Sequence, residues 1–234
     1  MLLQIRDMKV RYGGVEALKG VSLEICDGQT VTLIGANGAG KTTLINTVSG
    51  LNVPLSGGIW FSEQRIDGLP PHAIAHLGVR QVPEGRKIFH TLTVMENLLI
   101  GGYTQGDPAK TEFSLKRIFQ LFPVLQERRN LRGGSLSGGE QQMLAVGRAL
   151  MAGPKLLMMD EPTLGLSPLM CRRVGEIVEE IHETGIGILL VEQNARMALK
   201  LASRGFVLQT GVIIRQGEAK DLAEDEYLKQ SYLS

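Results

Sequence analysis

Gly35-Ala36-Asn37-Gly38-Ala39-Gly40-Lys41-Thr42 fits the pattern G-x-x-x-x-G-K-[ST]. The run in front of it, residues 30–34, is apolar or β-branched at every position, as a strand covered on both faces should be. A helical pattern follows it, and strand, glycine-rich loop and helix in that order build a cradle for phosphate. Glycines let the backbone curl so that its N–H groups point inward, and the helix starting near Lys41 adds its positive end. Lys41 can reach the β- and γ-phosphates, and the Thr42 hydroxyl can ligate Mg²⁺. Thr43 offers a second hydroxyl to the α-phosphate. With Gly at average frequency the bare pattern arises by chance in roughly one chain of this length in a hundred. Its flanks lower that further, so the stretch is expected to bind a nucleotide.

Two other apolar runs, residues 156–159 and 187–191, resemble the one before the loop. Each ends in polar or glycine-rich sequence. Short strands alternating with longer helical patterns indicate α/β with a mainly parallel sheet. Ligands of such sheets sit outside the carboxyl ends of the strands, so the three exits should meet at one site. The second run ends in Asp160-Glu161. Beside a phosphate loop, Asp160 is the expected Mg²⁺ partner, and Glu161 is the expected general base for an attacking water, a role typically worth ~10²–10⁴ in rate. An exposed acidic pair opening a loop is the plainer reading of these two alone.

Outward from this core the pattern changes. Residues 92–152 are mostly helical, beginning with the capping-box form Thr93-Val94-Met95-Glu96. A second helical stretch is expected over residues 111–122, stopping at Pro123. Tyr12-Gly13-Gly14 separates two strand-like runs, which reads as an antiparallel region in the first thirty residues. The tail after Gly217 reads as short amphipathic helix. The expected organisation is one domain over residues 1–234, with an α/β core at 1–91 and 153–234 and a helical subdomain at about 92–152.

Lys plus Arg number 25 against 24 for Asp plus Glu, so no global field draws this chain to nucleic acid or anionic lipid. Cys26 and Cys171 lack metal-ligand spacing and read as reduced thiols. The N-terminus alternates like a strand rather than a signal peptide, and no apolar run approaches the ~18 residues of a membrane span. A soluble chain is expected, with any membrane role exercised through partners.

Leu136-Ser137-Gly138-Gly139-Glu140-Gln141-Gln142 opens a helix running to about residue 152. Ser137 and Glu140 have the spacing of a capping box. Yet two glycines in a first turn cost about 1 kcal/mol each as helix formers. As bare N–H groups at a positive helix end, Gly138 and Gly139 suit the close approach of an anion. This run resembles the signature motif of ABC ATPases, and it lies between the phosphate loop and the Asp-Glu strand as in that family. Tyr12 is similar to the family's aromatic residue that stacks on adenine. The resemblance covers essentially the whole chain. It implies an ABC-type P-loop NTPase fold, ATP and Mg²⁺ as ligands, and a cassette dimer in which Ser137, Gly138 and Gly139 serve the partner's ATP.

Three switch positions depart from the family's usual residues. Glu84 stands where a glutamine is usual, with Gln81 three places too early; Ser167 replaces an aspartate; Gln193 replaces a histidine that contacts the γ-phosphate. Gln193 can donate a hydrogen bond but cannot become charged, and Glu84 can ligate Mg²⁺ but cannot donate while ionised. One reading is a regulatory cassette that binds ATP without turnover. The other is lineage, since Pro83-Glu84-Gly85-Arg86-Lys87-Ile88-Phe89 and Val191-Glu192-Gln193-Asn194 are similar to the second ATP-binding subunit of the branched-chain amino acid importers. Glu161 is retained, which favours hydrolysis.

The resemblance then implies an ATPase pairing with a paralogous second cassette beneath two membrane permease subunits. The complex would be fed indirectly by a periplasmic binding protein, with this chain peripheral at the cytoplasmic face of the bacterial inner membrane. The permease would meet residues 84–89 and 95–98, although Phe89 also reads as a core residue. Another cargo such as urea, short amides or lipopolysaccharide, or a soluble ABC ATPase acting on nucleic acid, stays open at this point.

Overall fold

The structure is a computed structural model that describes residues 1–231. The chain opens with β1 (Leu3–Tyr12) and β2 (Val15–Ile25), then β3 (Thr30–Ile34) and α1 (Lys41–Val48). There follow β4 (Ser56–Phe61), β5 (Gln64–Arg65), α2 (Pro71–Leu77) and β6 (Val79–Val82). Four helices come next: α3 (Val94–Gly101), α4 (Pro108–Leu121), α5 (Pro123–Glu127) and α6 (Gly138–Leu150). The last third alternates β7 (Leu156–Asp160), α7 (Pro168–Glu183), β8 (Gly187–Glu192) and α8 (Ala195–Leu201). It closes with β9 (Arg204–Gln209), β10 (Val212–Glu218), α9 (Ala219–Glu224) and α10 (Glu226–Ser231). The final three residues of the expected helical tail lie outside the described residues.

A six-stranded sheet has the order β10-β9-β3-β8-β7-β6, parallel except for its edge strand β10. A four-stranded antiparallel sheet, β2-β1-β4-β5, packs against one face of it. The unbroken apolar runs have a direct cause in this layering. Leu156, Met158, Leu189 and Val191 enter the core shared with α1 and the antiparallel sheet. Leu157, Met159, Ile188 and Leu190 enter a second core under α6 and α7 on the other face. Successive side chains of a strand point to opposite faces, so a strand buried on both needs an apolar residue at every position.

The α/β fold with an antiparallel N-terminal region is as the sequence indicates. One helix differs in extent. α4 begins at Pro108, three residues earlier than expected, because Asp107 caps it by accepting from the Ala109 N–H at 2.9 Å. Pro at the first helical position costs nothing there. The helix ends at Leu121, just ahead of Pro123 as expected, and Pro123 then opens α5. The Thr93–Glu96 capping box starts α3. Among the described residues, no helix is long and apolar enough to cross a membrane.

Candidate nucleotide site

β3 is the middle of the parallel sheet, and the loop after it returns as α1. Gly40 stands at the helix N-cap with φ 110°, a left-handed conformation. A β-carbon there would lie 2.8 Å from the Ala17 carbonyl oxygen. Gly35 has no room either, since a β-carbon would overlap the Leu208 carbonyl oxygen. The glycines are therefore demanded by packing as well as by curvature.

A cavity of about 360 Å³ lies over this loop. Tyr12, Asn37, Gly38, Gly40, Lys41, Thr42 and Thr43 line it together with Glu84 and Glu161, which arrive from β6 and β7. Gly35, Ala36 and Ala39 form the loop's own backbone, Gly35 and Ala39 buried and Ala36 exposed. Tyr12 ends β1 half exposed, its hydroxyl accepting from Asn52 Nδ2 at 2.7 Å. Gln81 turns away and is tied to α1 through Ser49 and Asn46, so Glu84 is the residue after β6 that reaches the cavity.

Lys41 is buried, and its Nζ donates to the carbonyl oxygens of Gly35 (2.7 Å) and Ala36 (3.1 Å). Glu161 follows β7 with φ 46°, and its N–H donates to the Val191 carbonyl at 2.8 Å. A non-glycine residue held in this region costs of order 1–3 kcal/mol and is characteristic of functional turns. Its carboxylate meets the Lys41 ammonium.

Asp160, at the end of β7, is 1% exposed, and neither of its carboxylate oxygens has a hydrogen-bond partner among the described residues. Burial, helped by the nearby Glu161 and Glu84 charges, pushes its pKa up to about 6 against the pull of the Thr42 hydroxyl and the Lys41 charge. Orphaned buried carboxylate oxygens beside a hydroxyl suit a divalent cation. Mg²⁺ in particular is usually held by one or two carboxylates, substrate phosphates and water.

Gln193 follows β8 on the surface and is not among the residues lining the cavity. Ser137, Gly138 and Gly139 begin α6 away from it. The Ser137–Glu140 capping box is formed, with Glu140 also paired to Arg128 at 2.9 Å. Gly139 is buried, and a β-carbon on it would overlap the end of Met170 from α7. Ser167 caps α7 by accepting from the Met170 N–H at 3.4 Å, a task serine and aspartate share. Phe89 is 46% exposed, not core; on α3 Leu98 is buried while Leu99 and Ile100 are exposed. Ala17 and Leu164 also line the cavity. Sequence reading passed over both, because a small or apolar residue in a loop or strand carries no local signal of its distant neighbours.

The sequence profile of the family described as ABC transporter matches residues 18–164. The chain is 44% identical over 232 residues, 99% of both proteins, to the high-affinity branched-chain amino acid transport ATP-binding protein BraG of Pseudomonas aeruginosa. It is 32% identical to the lipopolysaccharide export system ATP-binding protein LptB of Escherichia coli, covering 99% of this chain and 96% of that protein. The crystal structure of a nucleotide-free ATP-binding cassette from an ABC transporter matches with a TM-score of 0.85 at 28% identity, over 100% of this chain and 99% of that one. A related cassette in its ADP conformation matches with a TM-score of 0.84 at 28% identity, over 100% and 98%. Signature helix, phosphate loop and Asp-Glu strand thus stand in the fold of those cassettes, and the chain belongs to the ABC transporter family as one of its ATP-binding proteins.

Proposed function

We propose that this chain binds and hydrolyses ATP to power an importer of branched-chain amino acids. The observation that carries the reading is the meeting of Lys41 and Glu161 over the phosphate loop, in a chain 44% identical end to end to BraG. Tyr12 supports the adenine, residues 35–43 wrap the phosphates, and Lys41 takes the charge of the β- and γ-phosphates. Thr42 and Asp160, with Glu84 at the rim, hold Mg²⁺, which when bound neutralises charge on the phosphates. Glu161 accepts the proton of the attacking water. Ser137, Gly138 and Gly139 face a second, paralogous cassette and complete its site, and Gln193 supplies a neutral hydrogen-bond donor to the γ-phosphate.

Closure of the pair excludes water and commits the nucleotide. Opening is passed to two permease subunits through the surface carrying Phe89, Leu99 and Ile100, with a periplasmic binding protein delivering leucine, isoleucine or valine. The chain works at the cytoplasmic face of the inner membrane without nucleic acid. The lower identity to LptB ranks lipopolysaccharide below amino acids as cargo.

The test is the complete transporter in proteoliposomes. Leucine-loaded binding protein should stimulate both ATP turnover and uptake, and Glu161→Gln should abolish both. Turnover unchanged in Glu161→Gln refutes hydrolysis at this site; turnover without amino-acid uptake refutes the cargo.

A further inference from the structure

Glu192 ends β8 with its side chain 2% exposed, close to a second carboxylate. Its Oε1 accepts two hydrogen bonds from one residue, the Thr163 N–H at 3.2 Å and the Thr163 hydroxyl at 2.7 Å. Burial pushes its pKa up and Glu161 adds to this, while the donors on Thr163 and the Asn194 N–H pull it down. A buried carboxyl beside a like charge is costly unless hydrogen bonds hold it. One residue earlier, the Val191 carbonyl accepts from the Glu161 N–H. The last two residues of β8 therefore grip both ends of the turn at residues 161–163. Between those grips Glu161 keeps its left-handed φ of 46°, which a free turn would relax. Thr163 is itself 8% exposed, so its hydroxyl has few other partners within reach.

We propose that Glu192 is a positioning residue for hydrolysis: its carboxylate clamps Thr163 and so keeps Glu161 in its strained turn beside Lys41. The clamp rests on the function proposed above and adds a residue to it. Glu192 touches no substrate, and its work is geometric. A glutamine keeps an oxygen that accepts both Thr163 hydrogen bonds, whereas alanine releases them. Freed of its tether, Glu161 points at the attacking water for only part of the time, while the phosphate loop and Tyr12 are untouched.

The experiment is ATP turnover in the assembled transporter, with kcat and KM separated. Glu192→Ala should lower kcat by about tenfold or more with KM for ATP changed less than about twofold. Glu192→Gln should keep most of the wild-type kcat. Thr163→Val, isosteric and lacking the hydroxyl, should reproduce part of the loss, and Thr163→Ser should restore it. Combining Glu192→Ala with Thr163→Val should be no worse than the worse single change, since both cut one contact. Should Glu192→Ala fail to fold, the Thr163 pair carries the test alone. Unchanged kcat in Thr163→Val, additive losses, or loss of ATP affinity matching the loss of kcat overturns the clamp. Glu161→Gln in the same assay separates the two ideas. If it is inactive while Glu192→Ala is fully active, only the clamp falls; if it turns over normally, the hydrolysis reading falls and takes the clamp with it.

Discussion

Lys41 Nζ lies 3.0 Å from Glu161 Oε1, and both side chains are almost buried. On the function proposed above, the cation that takes the phosphates and the base that takes the proton of water here neutralise each other. On that reading ATP draws Lys41 toward its phosphates, which frees the Glu161 carboxylate only once there is something to hydrolyse. Glu161→Gln removes the competitor for Lys41, so ATP should bind at least as tightly as to the wild type while turnover falls ~10²–10⁴. Calorimetric titration beside a phosphate-release assay checks both halves. Weaker ATP binding in the variant would show that the pair does not restrain Lys41.

The buried Asp160 carboxyl carries a consequence for stability. Its pKa in the folded chain is about 6, above the ordinary 3.8. The folded state therefore resists its ionisation: the stability from this group is fully present below about pH 4 and lost as pH rises through 6. Asp160→Asn cannot ionise and should stabilise the nucleotide-free protein at pH 7 by on the order of 2 kcal/mol, with the gap narrowing toward pH 4. Denaturation at several pH values measures this. Equal stability of the two proteins at pH 7 refutes it, and the variant should also lose the Mg²⁺ dependence of ATP binding.

Phe89 is half exposed, and its backbone N–H and carbonyl are both held by the Asn97 side chain at 2.9 Å. The loop's backbone is thus held by Asn97, while the ring lies under the Arg148 guanidinium, 5.0 Å from its centroid. Phe89→Asp should cost no more than about 1 kcal/mol, for the lost cation–π contact with Arg148, keep ATP binding, and uncouple ATP turnover from amino-acid uptake. A large fall in melting temperature, or lost ATP binding, would make the ring structural.

Gly139 has two competing explanations, a bare N–H for a partner's nucleotide and room for Met170. Met170 presents the end of a flexible side chain there, which can move aside at small cost. Gly139→Ala should therefore fold well but cut ATP turnover of the assembled cassette pair by at least about tenfold. Adding Met170→Ala removes the crowding. Activity restored by the second change would assign Gly139 to packing within its own chain; activity still lost assigns it to the neighbouring site.

The phosphate loop and the three central strands were legible because each residue answers a local demand. Gly40 is held to glycine by its own φ of 110°, and residues 156–159 and 187–191 are apolar throughout because both faces of the sheet are covered. Asp107-Pro108 is likewise a helix start written in local residues, a capping carboxylate followed by proline. The tie between Glu192 and Thr163 is different in kind. The two residues are 29 positions apart, on the ends of neighbouring strands, and nothing near either one in sequence calls for the other. Met170 against Gly139 is invisible for the same reason, since it arises from how two helices lean together.

The position of β3 also sets a schedule for synthesis. Its neighbours are β8 and β9, with Thr30 opposite Ile188 and Val31 opposite Arg204. At roughly 5–20 residues per second, a ribosome needs about 8–30 s to travel from one to the other. Through that interval the nascent chain carries β3 and its glycine-rich loop with neither strand that will flank them. A chain stalled or truncated before β8 leaves β3 as an apolar ribbon with both edges unpaired, open to other nascent chains. Stop codons placed before β8 should therefore yield aggregates rather than weak binders.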